Sequence, residues 1–342
     1  MSLVKVHNKM GVWFPAVRAG TGADVFTLRL VSALQQRGCR ADITWLPHRA
    51  EYAPWSVSPP SPPPWANLVH INSWLPKRFI PPNLPVVVTL HSCVHDPAFM
   101  PYKNLPRRLY HRLWVKHCEA RSMARADATT AVSRYTAQRA MEAFGRTDII
   151  PIHNWIDTNR FSPLERQKPH HPFRLLFVGK LRRSKGIDIL PEIMRRLGPD
   201  FELRFTGKAE ELRCYGAIPP NIIPLGRIHN EDVLIEAYRT SDALLFPTRL
   251  EGFGLVALEA QACGIPVISS NCSALPEVVK HGKTGMLCSL DDVESFLSAA
   301  RRLRSGTAAW SSMRKNARDH ATSHFNEDTA LSQYLDIYQK LL

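Results

Sequence analysis

The sequence lacks the patterns that mark several common classes of protein. It has seven cysteines, an odd number, and no two of them form a Cys-x-x-Cys pair. Because disulfide scaffolds carry even numbers of cysteines, we expect reduced, mostly buried thiols in a cytoplasmic protein. No apolar run approaches the roughly 20 residues that a membrane-spanning helix needs. No apolar stretch of the kind found in secretory signals follows the first basic residues.

Metal-binding patterns are missing as well. The chain has no Asp-x-Asp triplet, no His-x-x-His and no His-Glu-x-x-His, and its 14 histidines are scattered. Zinc and other catalytic metals need closely spaced ligands of these types. The sequence therefore predicts neither a metal site nor a bound cofactor.

The charge that is present is mostly basic. The formal net charge is +14 over 342 residues. Residues 1–160 carry 20 Lys and Arg against 9 Asp and Glu, a net +11, whereas the remainder has a net +3. A basic first half favours an anionic partner such as nucleic acid, an acidic membrane or a phosphorylated substrate.

Short apolar runs alternate with helical patterns along the whole chain, which is typical of parallel α/β sheets. In the first half we predict strands at residues 3–7, 41–46, 67–72, 85–91, 128–132 and 148–154, and helices at residues 24–36, 106–126 and 134–144. In the second half we predict strands at residues 173–179, 202–207, 222–225, 242–248, 266–270 and 286–288, and helices at residues 187–197, 230–240, 254–262, 291–303 and 310–323.

A polar, proline-punctuated segment at residues 161–172 (FSPLERQKPHHP) separates the two halves. Such composition is typical of a linker. We therefore expect two Rossmann-like, doubly wound domains that face each other across a cleft, with boundaries at 1–165 and 166–326. In that architecture ligands bind at the carboxyl ends of the strands.

One stretch of the second half combines a strand, a glycine turn and a helix. The strand at residues 242–248 leads into a loop that contains Glu251 and Gly254, and a helix with Glu259 follows. A helix N-terminus of this kind presents backbone N–H groups that suit phosphate. Glu259 lies in the apolar context LVALEAQA, and a buried charge there needs hydrogen-bond partners. Both carboxylates can face one ligand at different depths.

Two other loops have the composition of phosphate sites. Gly20 and Gly22 follow the first strand and would let the backbone approach a phosphate or a sugar, although a flexible turn explains them equally well. Gly179 ends a buried strand, and Lys180 and Lys185 flank the loop after it. Cations on such a loop suit a diphosphate, whereas the simpler interpretation is a solvated basic loop.

Residues 106–126 have a basic amphipathic pattern. Arg108, Arg112 and Lys116 are four residues apart on one helix face, and Leu105, Leu109 and Leu113 recur on a neighbouring face. Such a helix can rest on an anionic bilayer. An ordinary core helix with a solvated basic face has the same pattern, so both interpretations stay open.

Motifs in a fixed order give the chain a family resemblance. They are Gly179-Lys-Leu, Lys185-Gly, Pro224-Leu-Gly-Arg-Ile, Phe246-Pro-Thr, Glu251-Gly-Phe-Gly-Leu, Glu259-Ala, Gly264-Ile-Pro-Val-Ile and Pro276-Glu-Val-Val. The chain resembles the retaining glycosyltransferases of family 4, which have the GT-B fold. The resemblance covers about residues 18–340, is specific in the second half and is loose over the first 120 residues.

The resemblance implies roles for residues at matching positions. Glu251 looks like the glutamate that holds the donor sugar, Glu259 like the one that holds the ribose, and His91 like a histidine near the reacting sugar. Lys185 matches the diphosphate-binding lysine, and Lys180 stands where the family more often has arginine. Backbone and nucleobase contacts are implied at Phe253, Gly254, Leu255, Leu225, Gly226, Arg227 and Ile228. Of these residues, Glu251, His91 and Lys185 would be catalytic.

The resemblance also implies the domain roles and the reaction. The first domain would bind the acceptor, the second would bind a UDP- or GDP-sugar, and the helix at 327–342 would cross back to the first domain. The reaction is sugar transfer with retention to a glycan or lipid-linked acceptor, in surface polysaccharide or lipopolysaccharide biosynthesis. The protein would be a cytoplasmic hexosyltransferase, with peripheral contact to the inner membrane. A GT-B nucleotide-sugar epimerase and a basic nucleic-acid-binding protein are the alternatives, although no nucleic acid is expected as a partner.

Overall fold

The computed structural model describes residues 10–342, and the chain divides into two units. The first unit contains the chain up to Asn154 together with Glu327–Leu342, and the second contains Trp155–Asn326. Each unit has one sheet of six strands, and all strand pairs in both sheets are parallel. Two doubly wound α/β units are therefore present, as the alternating pattern predicted.

The sheet of the first unit has the strand order β2-β1-β3-β4-β5-β6. Its strands are β1 Gly11–Val17, β2 Arg40–Leu46, β3 Leu68–Asn72, β4 Val86–Leu90, β5 Ala128–Ala131 and β6 Ile149–Pro151. Its helices are α1 Gly22–Gln36, α2 Leu105–Leu109, α3 Lys116–Arg125, α4 Arg134–Phe144 and, from the end of the chain, α12 Glu327–Leu341. A π-helical segment, Tyr110–Val115, joins α2 to α3, so residues 105–125 are one interrupted helix.

Strand β1 was not predicted. The strand expected at residues 3–7 lies outside the described residues, and β1 occupies Gly11–Val17 instead. Proline in a run normally argues against a central strand because it has no N–H to donate. Here Pro15 lies beyond the pairing of β1 with β3, which covers Val12 and Trp13. The missing N–H therefore costs no ladder hydrogen bond on that side.

The sheet of the second unit has the strand order β12-β11-β10-β7-β8-β9. Its strands are β7 Phe173–Phe177, β8 Phe201–Phe205, β9 Ile222–Pro224, β10 Ala243–Phe246, β11 Val267–Ser270 and β12 Gly285–Cys288. Its helices are α5 Leu190–Leu197, α6 Ala209–Arg213, α7 Glu231–Arg239, α8 Leu255–Ala262, α9 Leu275–Val278, α10 Val293–Ser305 and α11 Thr307–His324. Phenylalanines of β7 and β8 and Trp310 are among the fully buried side chains of its core.

The predicted boundary at residue 165 is wrong by about ten residues, because residues 155–165 belong to the second unit. Buried or half-buried arginines of that unit hold this segment through its carbonyl groups. Arg318 donates to the Phe161 carbonyl at 2.7 Å, and Arg239 donates to the Ser162 carbonyl at 2.8 Å. A polar, proline-containing composition thus marked a fixed surface segment and not a free linker. Residues 327–342 group with the first unit.

Candidate active site

The predicted donor residues lie where β7 and β10 run side by side. Ala243 of β10 pairs with Leu175 of β7, although the two strands are far apart in the sequence. The strand order reverses between these two strands, so their carboxyl ends form a topological switch point. The loop with Lys180 and Lys185 follows β7, and the loop with Glu251 follows β10. The topology therefore brings the predicted cations and the predicted carboxylate to one place.

Gly186 allows these two loops to touch. Its φ is 71°, and a Cβ built on it would lie 2.0 Å from the carbonyl oxygen of Pro247. The backbone N–H of Arg249 donates to the Ser184 carbonyl at 2.9 Å, and the Thr248 hydroxyl lies 3.3 Å from the same oxygen. No other residue type fits at 186, because every side chain begins with a Cβ.

Lys185 and Glu251 form an ion pair in this contact, between Nζ and Oε1. The Thr248 hydroxyl donates to the same carboxylate oxygen at 3.0 Å, and the Glu251 N–H donates to the Ser273 Oγ at 2.9 Å. Side-chain exposure is 28% for Lys185 and 13% for Glu251. Both charged groups are thus held in position and still reach the surface, as ligand-binding groups must.

Helix α8 begins at Leu255, four residues after Glu251. Its N-cap, Gly254, has a φ of 100° and no side chain that could accept a hydrogen bond from the first N–H groups of the helix. A helix N-terminus of this kind attracts anions. The side chain of Phe253 is buried and makes an edge-to-face contact with Phe325, with 5.6 Å between the ring centroids.

Glu259 is buried on α8, with 8% exposure. The hydroxyl of Tyr238, on α7, donates to its Oε2 at 3.0 Å. Tyr238 is itself fully buried and was not singled out from the sequence. The sequence predicted that Glu259 needs a partner, but nothing in the pattern of α7 indicated which residue supplies it.

The remaining predicted donor residues surround this arrangement. Lys180 is exposed on the loop after β7. Gly179 donates its N–H to the Thr206 hydroxyl at 3.1 Å. Leu225, Gly226, Arg227 and Ile228 follow β9, and a two-way backbone bridge of 2.8 and 3.1 Å joins Gly226 to Gly207. The N–H of Lys208 and the Arg227 guanidinium hold the pKa of Glu211 below its ordinary value.

Comparisons with known proteins cover both units. The family model "Glycosyl transferases group 1" matches residues 172–305, and the model "Glycosyltransferase Family 4" matches residues 65–160. The chain belongs to glycosyltransferase family 4. Its fold is the two-domain GT-B fold, and it is a glycosyltransferase of class EC 2.4.

Relatives of this family 4 glycosyltransferase differ in how much of their length it matches. An uncharacterized 41.2 kDa protein in the cps region of Klebsiella pneumoniae is 26% identical over 74% of this chain and 78% of its own length. Glycogen synthase of Mycobacterium tuberculosis is 31% identical over 57% of this chain, and the match spans about half (49%) of that protein. The structure of Anabaena HepE in complex with UDP and glucose has a TM-score of 0.73 and 16% identity, covering 97% of this chain and 100% of that chain.

In the first unit of the glycosyltransferase, His91 follows β4. Its Nε2 lies 2.7 Å from the Asn72 Oδ1, and Phe26 packs edge-on at 4.8 Å. Burial lowers the pKa of His91 to about 3. The imidazole is therefore neutral near neutral pH and suits hydrogen bonding to a hydroxyl rather than neutralising a phosphate.

The glycine loop of the first unit is less open than the sequence suggested. The Asp24 carboxylate accepts the N–H of Ala19 at 3.0 Å and that of Gly20 at 2.7 Å. Gly20 has a φ of 63°, and Gly22 is already the first residue of α1. The loop N–H groups that a phosphate would use are thus partly occupied, and donor binding at Gly20 and Gly22 stays a prediction.

The basic helical segment at residues 105–125 exposes its leucines. Leu105, Leu109 and Leu113 are 68%, 49% and 68% exposed, so they are not core residues. Arg108, Arg112 and Lys116 are exposed beside them, and the exposed positions of residues 105–121 include no acidic residue. Within residues 10–342, none of the helices has the length and apolar character to cross a bilayer.

Proposed function

We propose that this glycosyltransferase is a retaining enzyme that moves a sugar from a UDP- or GDP-sugar to a glycan or lipid-linked acceptor. The observation that carries the proposal is the Lys185–Glu251 pair at the strand switch point, next to the N-terminus of α8. HepE, which shares the fold, is solved with UDP and glucose, and the Klebsiella relative is encoded in a cps region. The HepE ligands support a nucleotide-sugar donor, and the cps region supports a role in surface polysaccharide or lipopolysaccharide biosynthesis.

In the proposed mechanism the diphosphate replaces Glu251 as the partner of Lys185. Departure of the nucleoside diphosphate from an oxocarbenium-like carbon builds up negative charge on the leaving oxygen. Lys185, Lys180 and the N-terminus of α8 stabilise that charge, and electrostatic stabilisation of this kind contributes more than any other effect to the rate of many enzymes. The cationic character of this group suits phosphate directly, so the proposal assigns no metal.

The carboxylates have positioning roles in this scheme. Glu251, released from Lys185, accepts hydrogen bonds from sugar hydroxyls, while Glu259 accepts them from the ribose. The acceptor hydroxyl attacks the sugar from the face that the leaving group vacates, and the leaving phosphate takes the proton of that hydroxyl. Neither glutamate is assigned as a double-displacement nucleophile. The neutral imidazole of His91 contributes a hydrogen bond to a hydroxyl of the reacting sugar.

A thermal-shift screen over UDP-, GDP- and ADP-linked sugars tests donor binding. A ligand at about 100 times its Kd adds about 2.7 kcal/mol to the free energy of unfolding, so one donor class is expected to raise the Tm by about 5 °C. Glu259→Gln is expected to weaken that donor about 10- to 100-fold, because a charged hydrogen bond is worth about 1.5–3 kcal/mol. Glu236→Gln, an exposed glutamate of α7, is the matched control. A flat response to every nucleotide sugar contradicts the proposal.

We also propose that the first unit binds the anionic cytoplasmic face of a membrane through the basic helical segment. Tyr52 and Trp55, which are 53% and 71% exposed, lie on a segment attached to this helix. The indole of Trp114 donates to the Glu51 carbonyl at 2.7 Å, and the Tyr110 hydroxyl donates to the Glu51 carboxylate at 3.2 Å. Exposed leucines, aromatic rings and cations together match the chemistry of a bilayer interface.

Flotation with vesicles tests the membrane proposal. The wild-type protein is expected to float with anionic vesicles and to stay behind with neutral ones. Charge reversal at Arg112 and Lys116 is expected to lower partitioning at least about 30-fold, because each basic residue near such a surface contributes about 1 kcal/mol. Leu109→Ser with Leu113→Ser should also weaken it, whereas Leu290→Ser, an exposed leucine of the second unit, should not. Equal flotation with both vesicle types refutes the proposal.

A further inference from the structure

Arg249 occupies the centre of the second unit's carboxyl edge, two residues before Glu251. Its side chain is buried, with 6% exposure. Its Nη1 and Nη2 donate to the Asp188 carboxylate at 2.6 and 3.1 Å, and its Nε donates to the Asp291 Oδ1 at 2.6 Å. Nη1 also donates to the Arg183 carbonyl. One guanidinium thus joins three separate loops.

These loops follow strands from one continuous part of the sheet, in which the order is β12-β11-β10-β7. Arg183 and Asp188 come after β7, Arg249 after β10 and Asp291 after β12. The loop after the intervening strand, β11, carries Ser273, whose Oγ accepts the Glu251 N–H at 2.9 Å. The loops of four adjacent strands are therefore tied to the segment between Thr248 and Glu251.

Two of these contacts are made by residues in an unfavourable backbone conformation. Ser273 has a φ of 49° and Asp291 has a φ of 60°, and they are the non-glycine residues with positive φ in the described part of the chain. Such a conformation costs about 1–3 kcal/mol for a residue with a Cβ and persists only where the surroundings impose it. Both residues keep this conformation while their side chains bond to the same loop.

We propose that Arg249 is a positioning residue that holds the Lys185 loop and the Glu251 loop in one fixed arrangement for the donor. The inference rests on the proposed function, because it assigns the arrangement to diphosphate and sugar recognition. Lys185 and Glu251 lie on different loops. Arg249 belongs to the Glu251 loop, and its guanidinium donates to Arg183 and Asp188 of the Lys185 loop. Without the guanidinium, the backbone contact between Arg249 and Ser184 remains, but Lys185 and Glu251 are held less precisely relative to each other. A displacement of about 1 Å in a reacting group is enough to lower turnover about 100-fold.

Lysine cannot take over this role. An ammonium group is a single point of charge, whereas the planar guanidinium serves Asp188, Asp291 and a carbonyl at the same time. Arg249→Lys keeps the charge and most of the volume, so the variant is expected to fold. Arg314 offers a matched control in the same unit, since it is 8% exposed and, within the described part of the chain, donates to the carbonyls of Leu164, Arg166 and Gly264 and to no carboxylate.

The test compares Arg249→Lys with Arg314→Lys by three measurements. Arg249→Lys is expected to lower kcat for sugar transfer about 10- to 100-fold. It should weaken binding of the free nucleoside diphosphate by a smaller factor than it lowers kcat, because Glu259 and residues 225–228 are held by other contacts. It should also speed amide hydrogen exchange at residues 183–187 and 249–252 without any ligand. Arg314→Lys should lose stability but keep kcat and the exchange rates of both loops.

The outcomes separate this inference from the proposed function. If the wild-type enzyme uses no nucleotide sugar, the proposed function has failed, and the ligand-free exchange rates still decide whether Arg249 holds the two loops. Unchanged exchange in Arg249→Lys, or a kcat within about twofold of wild type, overturns the inference. Equal loss of kcat in both lysine variants overturns it as well, since a general stability effect would then be responsible.

Discussion

Replacing Glu251 with glutamine is expected to lower turnover about 100- to 1,000-fold, the largest effect that we predict on activity. Removing one group that stabilises the reacting centre in a preorganised site has consequences of this size. Glutamine keeps the shape of the side chain and its contact with the Thr248 hydroxyl. It loses the negative charge that pairs with Lys185 and that, in the proposed mechanism, orients sugar hydroxyls.

The expected split between kinetic constants makes this prediction specific. KM for the donor should change less than about fivefold, because the proposed mechanism assigns nucleoside binding to Glu259 and residues 225–228, which this variant leaves intact. Stability should fall by less than about 1 kcal/mol, since Lys185 and Glu251 are partly solvated and such ion pairs contribute little. Steady-state kinetics on Glu251→Gln, with the exposed Glu236→Gln as control, measure both constants. Turnover within about threefold of wild type would exclude a role for Glu251 in the reaction.

Gly186→Ala is expected to lower the free energy of unfolding by about 3–5 kcal/mol, the largest effect that we predict on stability. A positive φ costs a residue with a Cβ about 1–3 kcal/mol, and forcing an extra methyl group into a packed site costs about as much again. At Gly186 both penalties apply, because the added Cβ would lie 2.0 Å from the Pro247 carbonyl oxygen. The loop must then move away from β10, and it takes Lys185 with it.

Gly145 separates the two penalties. It has the left-handed conformation of Gly186, with φ and ψ of 63° and 38° against 71° and 20°, but a Cβ there meets nothing within 4 Å. Gly145→Ala should therefore show only the conformational penalty, about 1–3 kcal/mol. Thermal unfolding of the two variants, followed together with donor binding, gives the comparison. Equal destabilisation would mean that the contact with Pro247 is unimportant and that the two loops are not held together there.

Much of the fold could be predicted from the sequence, because apolar runs and helical periods are local properties. Strands β7, β8, β10 and β11 lie within or within one residue of their predicted ranges. The failures have local causes too. Pro15 interrupts the apolar pattern of β1, and that strand was not predicted. The prolines around residues 161–172 suggested a linker, but Arg239 and Arg318 hold the backbone there in place. The pattern reflects composition, whereas the backbone at residues 161 and 162 is fixed by arginines that are distant in sequence.

By itself, the sequence determined the strand, the glycine turn and the helix that carry Glu251 and Glu259, since these follow from the spacing of residues along a single segment. Only the tertiary structure decided what those carboxylates meet. Lys185 reaches Glu251 because β7 and β10 are adjacent, and Tyr238 reaches Glu259 from another helix. The contacts of Arg249 arise in the same way, from three loops that the fold brings together. Strand order is set by how the whole core packs, so no local pattern contains it.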